Sequence, residues 1–153
     1  MSLRTRVVAS IVLLLAILPA FAQQDGRKHI VIGRTAAQMA NSPWSDAVLI
    51  DNTLYLSGYI GVDAHDKVPA SAEEETRLAM EDLKRTVEAA GFSMEDIVKV
   101  EVLCTDMSLF PRFNSVYRGY FKQGFPARTF TGSSGLLLGA HFEITGIAVR
   151  KAK

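Results

Sequence analysis

The chain has 153 residues, 48% of them hydrophobic and 22% charged, which is the length and apolar content of one compact domain with its own core. A formal net charge of +1 with no concentrated basic run excludes a nucleic-acid binder working through a basic face. The single cysteine, Cys104, excludes an internal disulfide and any cysteine-cluster metal site.

Residues 1–22 are of another kind. Arg4 and Arg6 make a positive start, Val7 to Leu18 is an apolar run, and Pro19-Ala20-Phe21-Ala22 ends in an Ala-x-Ala pattern before Gln23. This is the pattern of a secretory signal peptide cleaved after Ala22. The twelve-residue run is shorter than the ~20 apolar residues a spanning helix requires. No Cys follows it, so no lipid anchor is expected. Cleavage removes two Arg and no acid, leaving 15 Lys+Arg against 16 Asp+Glu, a formal −1. The expected product, residues 23–153, is one exported, periplasmic domain that is free of the membrane.

Gln23 to Arg27 is polar and reads as loose chain, and His29 to Ile32 as a first strand. Ala36 to Asp46 contains the turn signal Asn41-Ser42-Pro43-Trp44, with Trp44 either a core or interface anchor or the wall of a pocket. Ala47–Ile50 and Thr53–Gly58 form a hairpin around Asp51-Asn52. Ser57-Gly58-Tyr59-Ile60-Gly61 ends it, and two glycines so close predict a bulge or a close backbone approach. Ser57 either donates to a ligand or satisfies local backbone. The segment 63–70 is a surface loop in which His65 is solvated.

Ser71 and Glu74 form a capping box, and Glu73, Glu74 and Glu75 complement the positive end of a helix dipole. The helix runs to Ala90 and stops at Gly91, with Thr76, Met80, Leu83, Val87 and Ala90 as one buried stripe. The acidic run is helix chemistry rather than a metal site. Asp96 to Thr105 is a strand on which Cys104 is a small apolar filler rather than a nucleophile. A second helix starts at Asp106, tolerates Pro111 in its first turn, and buries the aromatic face Phe110, Phe113, Tyr117 and Phe121. Asn114 lies off that stripe and faces solvent, a ligand or a neighbouring chain.

Gly124-Phe125-Pro126 turns the chain into a strand over 127–133, where Arg128, Phe130 and Gly132 share one face. The last strand, 140–150, puts Phe142, Ile144 and Gly146 on one side and His141, Glu143 and Thr145 on the other. Arg128 and Glu143 are charges where a core strand carries none. A guanidinium is a rigid fork of donors suited to a carboxylate, and a nearby acid could hold a water or shuttle a proton. The pattern predicts a site for a small organic acid. The element order gives an α+β fold, with both helices on one face of a mixed sheet. With no Gly-rich phosphate loop, His-Glu-x-x-His or Gly-x-Ser-x-Gly, no nucleotide site, bound metal or cofactor is expected.

Phe125-Pro126-Ala127-Arg128-Thr129, followed by Phe142-Glu143-Ile144, resembles the RidA (YjgF-like) family. The resemblance extends through Ser57-Gly58, Glu88-Ala89-Ala90-Gly91, Asp96-Ile97-Val98-Lys99, Asn114 with Tyr117, and Ile147-Ala148-Val149. It implies a chorismate-mutase-like domain, a homotrimer with sites in the clefts between subunits, and hydrolysis of reactive 2-aminoacrylate-type enamines and imines. On that resemblance Arg128 clamps the substrate carboxylate and Glu143 positions the attacking water and relays its proton. Ser57, Asn114 and Trp44 line the cleft. Phe130 stands where the best-known members have Cys and Gly132 where they have Glu, and Trp44 stands where many have Tyr. A more apolar wall at Phe130 predicts a bulkier imino acid.

The competing reading is a non-catalytic trimeric module that binds a carboxylate metabolite in the cell envelope. The nearly neutral charge opposes a ribonuclease activity. Residue pattern carries no information on a holdase role.

Overall fold

A computed structural model describes residues 26–150, so the signal-peptide expectation for residues 1–22 lies outside the described part. Seven strands form one mixed sheet: β1 (Arg27–Ile30), β2 (Ala47–Ile50), β3 (Thr53–Leu56), β4 (Tyr59–Ile60), β5 (Ile97–Cys104), β6 (Ala127–Gly132) and β7 (Phe142–Val149). The spatial order is β1-β2-β3-β7-β5-β6, with the short β4 also pairing β7. Only β5 and β6 run parallel among the pairs, because the chain between them crosses back through a helix. The first strand ends two residues earlier than its apolar run suggests. The Asp46 carboxylate takes the Ile32 N–H at 2.7 Å, which draws the chain out of the ladder after Ile30.

Three helices accompany the sheet: α1 (Ala36–Asn41), α2 (Ala72–Ala89) and α3 (Phe110–Tyr117). The chain read as a turn before Trp44 therefore includes a short helix, α1. Its signal is the capping box between Thr35 and Gln38, and none of its residues is buried. In α2 the Ser71 side chain accepts from Glu74 N, and Gly91 takes the left-handed conformation (φ 78°) just beyond the end. Its stripe of Thr76, Met80, Leu83, Val87 and Ala90 is buried as expected. Among the aromatic residues read as one buried face, Phe113, Tyr117 and Phe121 are in the core, whereas Phe110 is 38% exposed. Cys104 is buried, and its thiol donates to the Asp106 carbonyl at 3.1 Å.

The acidic run does more than complement a dipole. Glu73 reaches α3 and accepts from Arg112 Nε at 2.7 Å. Glu75 is fully buried: one oxygen accepts from the backbone N–H groups of His141 (2.6 Å) and Phe142 (2.9 Å), while the other meets His141 Nδ1 at 2.7 Å. The first turn of α2 thus pins the start of β7. Gly61 lets β4 lie against the same turn, since a Cβ there would sit 1.9 Å from the Glu75 carbonyl oxygen.

Register decides which side chains share a face. Val100 pairs with Arg128 and Gly146, and Val102 with Phe130 and Ile144, so these lie on the face covered by α2 and α3. Glu101 pairs with Thr145 and Leu103 with Glu143, which puts those residues on the opposite face.

Candidate functional site

The β6 strand lifts Arg128 out of the Phe125-Pro126 turn and under α3. There its Nη1 donates to Asn114 Oδ1 at 2.8 Å. Its guanidinium carbon lies 4.6 Å from the centre of the Tyr117 ring and 5.7 Å from those of Phe110 and Phe130. No carboxylate of the described residues forms an ion pair with it. Beside it opens a cavity of about 330 Å³ lined by Phe110, Asn114, Tyr117, Arg118, Phe125, Pro126 and Arg128. A half-buried cation without an acid, in an aromatic cavity, is suited to an organic anion.

Phe130 is one layer further in than expected. It is held edge-on by Phe110 (centroids 4.9 Å) and Phe113 (5.3 Å), and it backs the cavity wall rather than forming it. Reading the aromatic stripe as core alone missed Tyr117, Phe110 and the second cation, Arg118. Asn114 and Tyr117 on α3 and Arg118, the helical residue that caps its C-terminus, stand at i, i+3 and i+4, the spacing that brings side chains onto one helical face.

Glu143 lies elsewhere. It projects from the helix-free face of β7 against Gly58, where an added Cβ would sit 1.9 Å from its Oε1. It has no ion-pair partner among the described residues. Gly58 and Ser57 border a cleft of about 220 Å³ that also includes Trp44, Asp46, Tyr59 and Arg85. Ser57 Oγ donates to the Ser45 carbonyl at 2.6 Å, so its proton satisfies local backbone, the plainer of its two readings. Tyr59 donates to the Asp46 carbonyl at 2.7 Å, and burial pushes its phenol up to about 12. Trp44 is 58% exposed, with the Arg34 guanidinium 5.3 Å from its ring centre.

The predicted residues therefore fall apart: Arg128, Asn114 and Phe130 lie on the helix side of β6, Ser57 and Trp44 border the smaller cleft, and Glu143 lies against Gly58 without lining that cleft. Arg128 and Glu143 project from opposite faces of one sheet, and neither of these two cavities among the described residues holds both. Each chain thus presents an unpaired guanidinium beside an aromatic cavity and, separately, an unpaired carboxylate against Gly58, among the described residues.

A mixed sheet with helices packed on it, and an aromatic cavity that carries Arg128 and Arg118, define an α+β domain with a cationic cavity. The family model described as endoribonuclease L-PSP matches residues 35–150, and the chain belongs to this family, the YjgF/RidA proteins. It is 38% identical over 122 residues to a mouse 2-iminobutanoate/2-iminopropanoate deaminase, covering 78% of this chain and 90% of that protein. The crystal structure of the Escherichia coli YjgF gene product is 33% identical with a TM-score of 0.72, over 81% of this chain and 99% of that one. Escherichia coli TdcF, solved with bound serine, is 32% identical with a TM-score of 0.68, over 72% of this chain and 90% of that one.

Proposed function

We propose that this protein is a hydrolytic deaminase that converts reactive enamine and imine intermediates of the 2-aminoacrylate type into 2-oxo acids and ammonia. The similarity to 2-iminobutanoate/2-iminopropanoate deaminases supports the reaction class. The observation carrying the site is the half-buried Arg128, fixed by Asn114, without a carboxylate partner among the described residues, and open to the aromatic cavity. The reading places catalysis in a homotrimer, at clefts where the Arg128 half-site of one copy faces the Glu143 half-site of the next. It takes the protein to be exported after cleavage at Ala22.

In this mechanism Arg128 holds the substrate carboxylate, and an enamine first tautomerises, its terminal carbon gaining a proton as its nitrogen loses one. Glu143 accepts a proton from water as the oxygen bonds to C2 of the imine, and the C=N electron pair moves to nitrogen. That proton is passed to nitrogen. The proton of the new hydroxyl is then transferred to nitrogen as C=O forms and the C–N bond breaks, so that nitrogen leaves as ammonia. Imines hydrolyse unaided, so positioning the water and moving protons, the latter worth on the order of 10²–10⁴ in rate, is what the site must supply. The test couples an amino-acid oxidase to the purified protein and follows imine decay with wild type and Glu143→Ala. Accelerated decay that depends on Glu143 supports the deaminase. Carboxylate-induced stabilisation without accelerated decay would instead make the protein a binding module. Intact mass of the protein recovered from the periplasm, starting at Gln23, tests the export reading.

A further inference from the structure

The cavity beside Arg128 contains a polar group that the mechanism above does not use. Tyr117 is only 3% exposed, and its hydroxyl has no hydrogen-bond partner within the described residues. Its ring is fixed by Phe113 (centroids 5.5 Å), Phe121 (4.9 Å) and Phe125 (6.3 Å), so the hydroxyl cannot swing out to find one. The nearest charged group is the Arg128 guanidinium, 4.6 Å from the ring centre, which approaches the phenol without forming a well-made hydrogen bond. A guanidinium offers only donors, so Arg128 cannot accept the phenolic proton in any orientation. The Asn114 carbonyl oxygen in this cavity already accepts from Arg128. Burial pushes the Tyr117 phenol up to about 12, with the Arg128 charge offsetting part of the rise, so the group is a protonated donor at neutral pH.

Buried donors left without acceptors are rare because they forfeit their hydration. Here the donors of Tyr117, Arg128 and Arg118 converge on one cavity whose side-chain carbonyl, that of Asn114, is bonded to Arg128 and makes no bond to Tyr117. We propose that Tyr117 is a further substrate-contacting residue, its hydroxyl donating a hydrogen bond to the carboxylate that Arg128 holds. The inference rests on the reading of this cavity as the carboxylate site. It adds a second fixed donor, which defines the orientation of the carboxylate plane.

The experiment compares wild type, Tyr117→Phe and Arg128→Ala, using pyruvate and 2-oxobutanoate as calorimetric ligands, with the methyl ester of each as a control. Tyr117→Phe keeps the ring packing and removes only the hydroxyl, so the free variant is expected to melt at or above the wild-type temperature. It is expected to bind the 2-oxo acids roughly ten- to a hundred-fold more weakly, the worth of one hydrogen bond to a charged group. Its KM for imines should rise more than its kcat falls, and the esters should discriminate less between the two proteins. Unchanged acid affinity and KM in Tyr117→Phe, with wild type binding normally, would overturn the inference alone. So would lost assembly at unchanged affinity, because the acceptor would then belong to a neighbouring chain. Wild type that binds no 2-oxo acid, or binds it equally well as Arg128→Ala, would overturn the carboxylate reading and this inference together.

Discussion

Arg128 is costly to place and cheap to remove, a combination that separates a binding residue from a structural one. Among the described residues its guanidinium makes one hydrogen bond, to Asn114, and lies beside aromatic faces. Replacement by Ala should therefore change stability by no more than about 1 kcal/mol. It should lower kcat/KM for imines roughly 100- to 1000-fold, since a forked contact to the carboxylate is lost. Denaturation midpoints and coupled-assay kinetics on one preparation check both halves. Cys104 is the opposite case: burial raises its thiol pKa above the ordinary cysteine value, keeping it protonated and unreactive at neutral pH. An aromatic disulfide reagent should label it only after denaturant is added, and rapid labelling of the folded protein at pH 7 would contradict its burial.

At the scale of elements, two glycines near β4 test different things. A methyl group at Gly58 would meet the Glu143 carboxylate, the mobile end of a side chain, whereas one at Gly61 would meet the backbone carbonyl of Glu75. Gly58→Ala should leave stability within ~1 kcal/mol but re-aim Glu143 and lower kcat at least about tenfold. Gly61→Ala cannot be relieved by a rotamer change, so it should destabilise the fold by about 1–3 kcal/mol, read from urea midpoints. The sequence showed α2 clearly, because eighteen residues carry a repeating apolar stripe between a cap and a glycine. It concealed α1, whose six residues bury nothing and so leave no period to read. Glu75 was legible as helix chemistry, but its partners lie 66 and 67 residues away, and no local pattern reports a contact of that range. Period-two alternation gave the faces of Arg128 and Glu143 within their own strands. Their relation runs through the pairing of both strands with β5, which the sequence does not state.

At the scale of the molecule, burial of phenols sets an alkaline limit. Tyr59 and Tyr117 are both raised to about 12, chiefly by burial, and Tyr120 is raised as well, by burial and by its contact with Glu81. Folded-state values above the unfolded value mean that the native state holds these protons more tightly. The stability they contribute is complete below about pH 10 and lost as pH climbs towards 12, so urea midpoints should fall across that window. The opposed faces of Arg128 and Glu143 lead to a sharper prediction. If the working cleft joins two copies in a ring, each interface is head-to-tail and takes its arginine from one chain and its acid from the next. Arg128→Ala and Glu143→Ala would each be inactive alone, yet a mixed ring contains clefts in which an intact Arg128 faces an intact Glu143. Random assembly of equal amounts should restore about one quarter of the wild-type clefts, since each of the two contributions is intact in about half of the chains. Co-refolding the two variants and measuring imine decay against the separately refolded, unmixed pair reads this directly. Recovery near that fraction places the site between copies, whereas no recovery from verified mixed rings means that Arg128 and Glu143 do not act on one substrate.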